Sequence, residues 1–525
     1  MKQVKQFIPE FTKKEPEKPV EPEKTGISTY EELVAFAENV KNDYDKYGSA
    51  DVYLENNLLA PDDSAWVLGI GTADNPFNGT FDGRGYGIVG LNVSIDDLGG
   101  LFGCIGENGL VKDIAVIDCD FTKNSEYAGG IAAVNNGTID HCLSGINQGN
   151  YVRINDKNGN RINIGEYNSY IKGTYSGGVA ATNNGTITGT RNGAFVNGSE
   201  CGGLVYENAG TIYGCANNGP VGKDSVNTKL CGGLVCRNSG TISCCYNSGK
   251  PTGSSGGYSI LGMAAAFNES ENISNVFCNS INDIPASGDG STVDLSKTVT
   301  VISNEEMLDA SFTAKLNDVT DDTVQWEQKV VNNTYLNSKY PVILGNFLKN
   351  RTITLNNGIA LKGLMHQSMN VYYNPIKKGS DDYALFSKAA PNGISTIYNA
   401  AYDDGKGTFI PAEFWCSGVT ISVPVESNDV KLAVMGTDGA VQVIKPDSIR
   451  DGKASFSAAA PVSFAVIKTT SSGAKTPDSN NNRSSSAADS NTVSTGDSTA
   501  ITFALAVLAF SAAMIFLAKR KKNRE

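Results

Sequence analysis

Gly202-Gly203-Leu204-Val205-Tyr206-Glu207-Asn208-Ala209-Gly210-Thr211-Ile212-Tyr213-Gly214-Cys215-Ala216-Asn217-Asn218-Gly219 decides the reading of this chain, because the middle third is built from copies of it. Gly129-Gly130-Ile131 reaches Asn135 and Gly137-Thr138-Ile139; Gly177-Gly178-Val179 reaches Asn183 and Gly185-Thr186-Ile187; Gly232-Gly233-Leu234 reaches Asn238 and Gly240-Thr241-Ile242. Looser versions flank them, at Gly99-Gly100-Leu101 and at Gly262-Met263 with Ile273. Starting points fall 30, 48, 25 and 30 residues apart, a spacing at which each unit is too small to bury its own apolar face and must stack on its neighbours.

Each unit holds two short β-prone runs separated by Asn-x-Gly, whose residues tolerate the positive φ of tight turns. Stacking like strands in parallel, about 4.8 Å per coil, gives an all-β parallel β-helix. Asn135, Asn183, Asn208 and Asn238 then form one column whose side-chain amides hydrogen-bond along the stack. Ile139, Ile187, Ile212 and Ile242 form an interior row. Three residues later come Cys142, Thr190, Cys215 and Cys245. An unbroken strand would put residues three apart on opposite faces. A bend is therefore expected at the intervening His141, Gly189, Gly214 and Cys244, turning both columns inward.

The Gly-Gly-Leu-x-x-x-Asn-x-Gly-x-Ile unit resembles the GLUG-type repeat of bacterial cell-surface proteins, and Phe77-Asn78-Gly79-Thr80-Phe81-Asp82-Gly83-Arg84-Gly85 through Leu91 resembles the segment that leads into it. The resemblance covers roughly residues 27 to 345. It implies a right-handed parallel β-helix on a cell surface, often in adhesins and sometimes beside an enzyme domain. It assigns no catalytic residue.

Lys plus Arg number 43 against 55 Asp plus Glu, for a net charge of −12. That balance argues against nucleic acid as a partner, since its phosphates call for a basic surface. The eleven cysteines recur mostly at repeat positions. Two readings stay open: stacked reduced thiols acting as small apolar fillers, or disulfides between coils, for which Cys215 and Cys245 would lie in range. No second pair or histidines complete a zinc-type spacing, and no cofactor is expected.

The sequence divides into seven parts. Residues 1–26 are a Pro/Lys/Glu-rich spacer with no apolar run for a secretory signal, which reads as a fragment of a longer surface protein or a misplaced start. Residues 27–76 hold a helix opened by a Ser28–Glu31 capping box and running to about Lys46, expected to cover the first coil, and then entry strands. The repeats occupy 77–290, with a hairpin around Asn158-Gly159 projecting from an insertion between Gly149 and Gly173. Residues 291–350, with a capping box at Ser303–Glu306 and strands at Trp326 and Tyr340–Leu344, are expected to close the far end. Residues 351–469 alternate as a small β-sandwich. A Ser/Asn-rich stalk, 470–498, precedes 499–525, whose uncharged run 500–518 is long enough to span a membrane before the basic Lys519-Arg520-Lys521-Lys522. This arrangement places the bulk of the chain outside the cell and the C-terminus in the cytoplasm.

The tail also resembles the cell-wall sorting signal of Gram-positive surface proteins. Thr495 and Gly496 match the pair between which a sortase cuts, which would attach the chain to peptidoglycan. Thr492 and Val493 replace the Leu and Pro of that family, leaving a permanent membrane anchor as the alternative.

Parallel β-helices include polysaccharide lyases and hydrolases, so paired carboxylates matter. Asp113, Asp118 and Asp120 fall near one coil. His141 reads as a partly exposed corner residue, and His366 has no partner nearby in sequence. Asp156-x-Asn158-Gly159-Asn160 lacks the later bidentate carboxylate of a calcium loop. The expectation is a non-enzymatic, surface-anchored scaffold for adhesion to a glycan or protein of a host or neighbouring cell, against the alternative of a carbohydrate-active enzyme using a groove along the β-helix.

Overall fold

The computed structural model describes residues 24–145, 154–155, 161–162, 169–222, 228–254, 259–280, 284–328, 330–331, 334–335, 340–406, 412–436, 439–458 and 460–468, all within one compact unit. The N-terminal spacer to residue 23, the stalk, the apolar run 500–518, the Thr495–Gly496 pair and the calcium-like Asp156, Asn158 and Asn160 lie outside the described residues. Among those described, no helix is long and apolar enough to cross a membrane.

Successive copies of the repeat pair in parallel and in register, building stacked sheets of up to nine strands. Thr186–Thr188 lies between Thr138–Asp140 and Thr211–Tyr213, with Ile187 opposite Ile139 and Ile212. The interior row is longer than the four expected isoleucines. It begins at Val52 and runs through Phe81, Val111, Ile139, Ile187, Ile212 and Ile242 to Ile273, all buried. These are the rungs of a parallel β-helix.

The asparagine column is present and directional. Asn135 donates to Asn183 (2.7 Å), Asn183 to Asn208, Asn208 to Asn238 and Asn238 to Asn268 (each 2.8 Å). A second buried ladder runs from Asn192 through Asn217 to Asn247, at 2.9 and 3.0 Å. Each amide presents one donor and one acceptor along the stack, so identical residues on every rung satisfy one another where water is excluded.

The bend after each isoleucine is also present. His141, Gly189, Gly214 and Cys244 have φ of 49°, 53°, 60° and 55°, and Asp113 and Asn275 extend the column at 53° each. This left-handed backbone turns the chain so that Cys142, Thr190, Cys215 and Cys245 follow the isoleucines inward, all buried. His141 is a corner residue as expected, but it is only 4% exposed rather than partly open. All eleven cysteines are free thiols in the structure and all are buried. Burial raises the Cys142 and Cys278 thiols far above the ordinary range and pushes Cys104 up to about 11.

The N-terminal helix, Tyr30–Asn42, buries Leu33, Phe36 and Val40, and Phe36 meets Phe77 edge-on with centroids 5.9 Å apart, so it covers the first coil. Its capping box is one residue later than expected: Thr29 accepts from the Glu32 amide, and Glu32 accepts from the Thr29 amide. Both frames fit the sequence; Thr29 as cap presents Tyr30, Leu33, Ala37 and Val40 to the core. In the insertion, Ile154–Asn155 pairs antiparallel with Arg161–Ile162, as a hairpin requires.

Residues 291–350 close the far end only with their first part, where Leu295 and Val299 join the interior core. Val299–Ile302 adds the last strand to one sheet, and two short helices, Asn304–Met307 and Ala310–Val319, follow. The chain then returns along the side of the stack, down the column of bends. Cys244 Sγ donates to the Val319 carbonyl (3.0 Å), the Asp321 amide donates to the Tyr213 hydroxyl (2.7 Å), and Val324 fills the space beside Gly214. Trp326 pairs antiparallel with Ile343 and packs on Tyr246, a side-wall position. The reason is apolar: Tyr246, Phe277, Phe312, Leu316 and Trp326 form one buried cluster on the outside of that wall.

This return delivers residues 349–468 to the first coils. They form two five-stranded antiparallel sheets, one of Lys349–Thr354, Ala360–Met365, Cys416–Pro424, Lys453–Ala458 and Ser448–Arg450, the other of Asn370–Pro375, Ile394–Asp403, Phe464–Lys468, Val430–Met435 and Val441–Ile444. Phe456 of the first meets Phe464 of the second at 5.4 Å, giving the expected sandwich. An unforeseen helix, Asp381–Ala389, packs Phe386 against the second sheet beside Ala433 and Ala465. The sandwich docks on the bend at Arg84 and Gly85. Trp415 Nε1 donates to the Gly85 carbonyl (2.7 Å), His366 Nε2 donates to the Arg84 carbonyl (2.8 Å), and the His366 and Trp415 rings stack at 4.9 Å.

Candidate functional site

The glycine pairs make a corner whose outer side is lined by aromatic and charged groups. A Cβ on Gly129, Gly177 or Gly202 would fall 1.9 Å from the carbonyl oxygen of Ala132, Ala180 or Val205, so the chain folds back tightly there and only glycine fits. Tyr127 and Tyr175 sit opposite one another on strands Ser125–Gly129 and Tyr170–Gly177, before the glycines, and their rings lie 5.2 Å apart. Tyr206, on Val205–Asn208 after the glycines, stacks on Tyr175 at 4.8 Å and 29°. Outward side chains diverge at a convex corner; here they converge, so the corner is re-entrant.

The same convergence recurs one coil on. Glu200 follows Tyr175 in the row, and Arg237, from the strand beyond the next glycine pair, reaches across to it with Nε 2.7 Å from the carboxylate. The guanidinium lies 5.8 Å from the Phe267 ring. Leu230 and Ile260 continue the row. Asp97, Glu126 and Glu207 are exposed around Tyr127. The Tyr127 hydroxyl is raised above its ordinary range, first by burial and then by the fields of Glu126, Tyr175, Glu207 and Asp97. Burial and Glu200 raise Tyr206 further. The corner is thus a tyrosine stack about one side chain deep, set in a negative field, with one guanidinium already held at its far end.

The three carboxylates singled out from the sequence do not share a cleft. Asp113 and Asp118 occupy two successive corners of one coil, both at φ of 53°, and have different neighbours. Asp118 feels Asp120 and Asp62, and burial raises its carboxyl. Asp113 instead belongs to a charged knot: Lys112 Nζ lies 3.0 Å from Asp82 and 3.5 Å from Asp113, and His141 Nδ1 lies 2.6 Å from Asp140. Burial pushes the Asp113 carboxyl up to about 6, outweighing the opposing pull of Lys112. Burial pulls His141 down, but the Asp140 hydrogen bond and the fields of Asp140 and Asp113 leave it raised overall. Among the described residues Asp113 Oδ1 has no hydrogen-bond partner, and the backbone of Thr323 also acts on the His141 ring. His366 is fully buried against Trp415, and burial lowers it to about 4.

The asparagine, isoleucine and cysteine columns are therefore interior and architectural, and the tyrosine corner is the external feature that sequence reasoning missed. A signal existed: Tyr127 and Tyr175 both stand two residues before their glycine pair. No known family, characterised protein or solved structure matches the chain.

Proposed function

We propose that this chain is a non-enzymatic ligand-displaying protein of a bacterial cell surface: a right-handed β-helix and sandwich, held through residues 500–518 in the membrane or through Thr495–Gly496 on peptidoglycan, that serves adhesion. The GLUG-type resemblance and the anchor-like tail support the location. The observation that carries the binding role is the Tyr127–Tyr175–Tyr206 stack, in which two part-exposed tyrosine rings are held on a buried third on the outside of the solenoid.

The test is a binding screen of the full chain against glycans and matrix-type proteins. Saturable binding without product, weakened tenfold or more by Tyr175→Ala, supports this reading. A second reading, a carbohydrate-active enzyme, draws on one observation: the Asp113 carboxyl at about 6 is suited to proton transfer near neutral pH. Turnover of a polysaccharide that Asp113→Asn abolishes would establish it and displace the first.

A further inference from the structure

We propose that two pairs of stacked thiols, Cys201 with Cys231 and Cys215 with Cys245, close as disulfides between the same two neighbouring coils when the chain folds in the presence of a disulfide oxidant of the glutathione type. These bonds staple the rod whatever ligand it displays. Register supplies the first observation. Cys201 stands opposite Cys231 on hydrogen-bonded parallel strands, and both belong to the interior core. Tyr213 opposite Ser243 and Ala216 opposite Tyr246 bracket the second pair, which puts Cys215 opposite Cys245, again in the core. Parallel neighbours lie about 4.8 Å apart, inside the roughly 4.4–6.8 Å that a disulfide allows between its Cα atoms. The second observation is where the sulfurs lie. Cys201 Sγ reaches onto the next coil, 3.9 Å from the carbonyl oxygen of Leu230, the residue before Cys231. Cys245 Sγ reaches the other way and accepts a hydrogen bond from the Cys215 amide at 3.3 Å. Cys201 is raised well above the ordinary thiol range, first by hydrogen bonding with Cys231 and then by burial; for Cys245 burial leads and hydrogen bonding with Cys215 follows.

The rest of the two columns separates these four thiols from the others. One column reads Ala128, Ser176, Cys201, Cys231 and Leu261, and the other Cys142, Thr190, Cys215 and Cys245. Thr190 stands between Cys142 and the next thiol, whereas at the coils of Gly202 and Gly232 cysteines fall on adjacent rungs in both columns. Cys236 belongs to the outer cluster with Tyr206, Leu230 and Ala266, and Cys244 donates to the Val319 carbonyl of the returning chain, so neither joins the interior core. Each bond forms by exchange. A thiolate attacks one sulfur of the oxidant and expels a thiolate; the partner, deprotonated in turn, attacks the mixed disulfide and expels the second. The pair gives up two electrons and two protons, and the oxidant leaves as two thiols. Only thiolates attack, and burial keeps these groups protonated in the finished rod, so the bonds form before the two coils close.

The experiment refolds the full chain, first unfolded and reduced, with glutathione disulfide and reduced glutathione; the remaining thiols are labelled with N-ethylmaleimide after denaturation and counted by mass. Chain secreted into an oxidising bacterial periplasm is counted in the same way, so the result does not hang on refolding in vitro. Eleven cysteines less the four in two bonds leave seven labels, and peptide mapping should link Cys201 to Cys231 and Cys215 to Cys245. Cys231→Ser and Cys245→Ser should each lose one bond and keep the other, while Cys236→Ser keeps both. Chain folded in reducing buffer and only then given glutathione disulfide should form the bonds at least about tenfold more slowly. Eleven labels on the oxidised chain, or bonds confined to other cysteines such as Cys231 with Cys236, overturn the proposal. Equal rates in folded and refolding chain overturn the order in which bonds and coils close.

Discussion

The asparagine ladder makes a prediction that depends on position along the stack. Asn208 is fully buried, accepts from Asn183 and donates to Asn238, each at 2.8 Å. Asn208→Leu keeps the volume but leaves the Asn238 carbonyl oxygen without its donor and the Asn183 amide with only weak 3.4 Å contacts to Gly185 and Thr211. At about 1–3 kcal/mol for each buried group left unpaired, the cost is about 4 kcal/mol. Asn135 begins the ladder, and its Oδ1 is already without a partner. Asn135→Leu therefore removes one orphan and creates another, at Asn183, for a net cost of about 1 kcal/mol. A stacked array need not unfold in one step, so the assay is native-state hydrogen exchange read locally, at the Thr186–Thr188 and Thr211–Tyr213 amides for Asn208→Leu and at Thr138–Asp140 for Asn135→Leu. A difference of about 3 kcal/mol in local opening free energy is expected. Equal effects of the two substitutions, or an Asn208 effect below about 1 kcal/mol, would show that water or backbone groups replace the ladder bonds and would refute the reasoning.

Two buried groups titrate in opposite senses between pH 4 and 6.5. Asp113 is raised from 3.8 to about 6, so its contribution to stability is present at low pH and is lost as pH rises toward 6, about 3 kcal/mol in all. His366 is lowered from 6.5 to about 4, so the neutral ring stabilises the fold above 6.5 and that contribution, also about 3 kcal/mol, is lost as pH falls. The two largely cancel in the parent chain. Asp113→Asn should therefore expose a melting temperature that climbs with pH over this range, and His366→Gln one that declines; parallel profiles for both variants would contradict the assignment. Trp415→Ala removes a fully buried ring, its hydrogen bond to Gly85 and its stack on His366, at a cost of about 3–5 kcal/mol to the junction. Limited proteolysis should then separate the sandwich from the β-helix, and an unchanged fragment pattern would count against this junction as the hinge of the assembly.

Much of the architecture was legible because the repeat carries its own register. A glycine pair, an Asn-x-Gly and an isoleucine eight residues after the first apolar position fix the bend, ladder and interior row independently of anything distant. The bend at Gly214 and the inward Cys215 followed from counting faces along a strand. Asp113 escaped the bend column because its coil reads Gly109-Leu110-Val111, without the threonine and isoleucine that flag the others. Asn268 escaped the ladder because Glu269-Ser270-Glu271 follows it in place of the x-Gly-Thr that flags the others, although Ile273 is present. The return of the chain along the bends could not be read locally, since Cys244 meets Val319 across 75 residues and Trp415 meets Gly85 across 330. It is set by an apolar cluster whose members, from Tyr246 to Trp326, look unremarkable one by one. The tyrosine corner needed the fold before Tyr206 could be seen beside Tyr175, because the pair belong to different coils and opposite sides of a glycine turn.

The way residues 319–347 travel back to the opening coil has a mechanical consequence. A column of rungs left to itself frays from whichever extremity is weaker, and each extremity frays alone. Here the segment leaving the last rung is buckled near the opposite extremity, where Phe347 and Trp415 meet Gly85, so slackening either extremity tugs on the other.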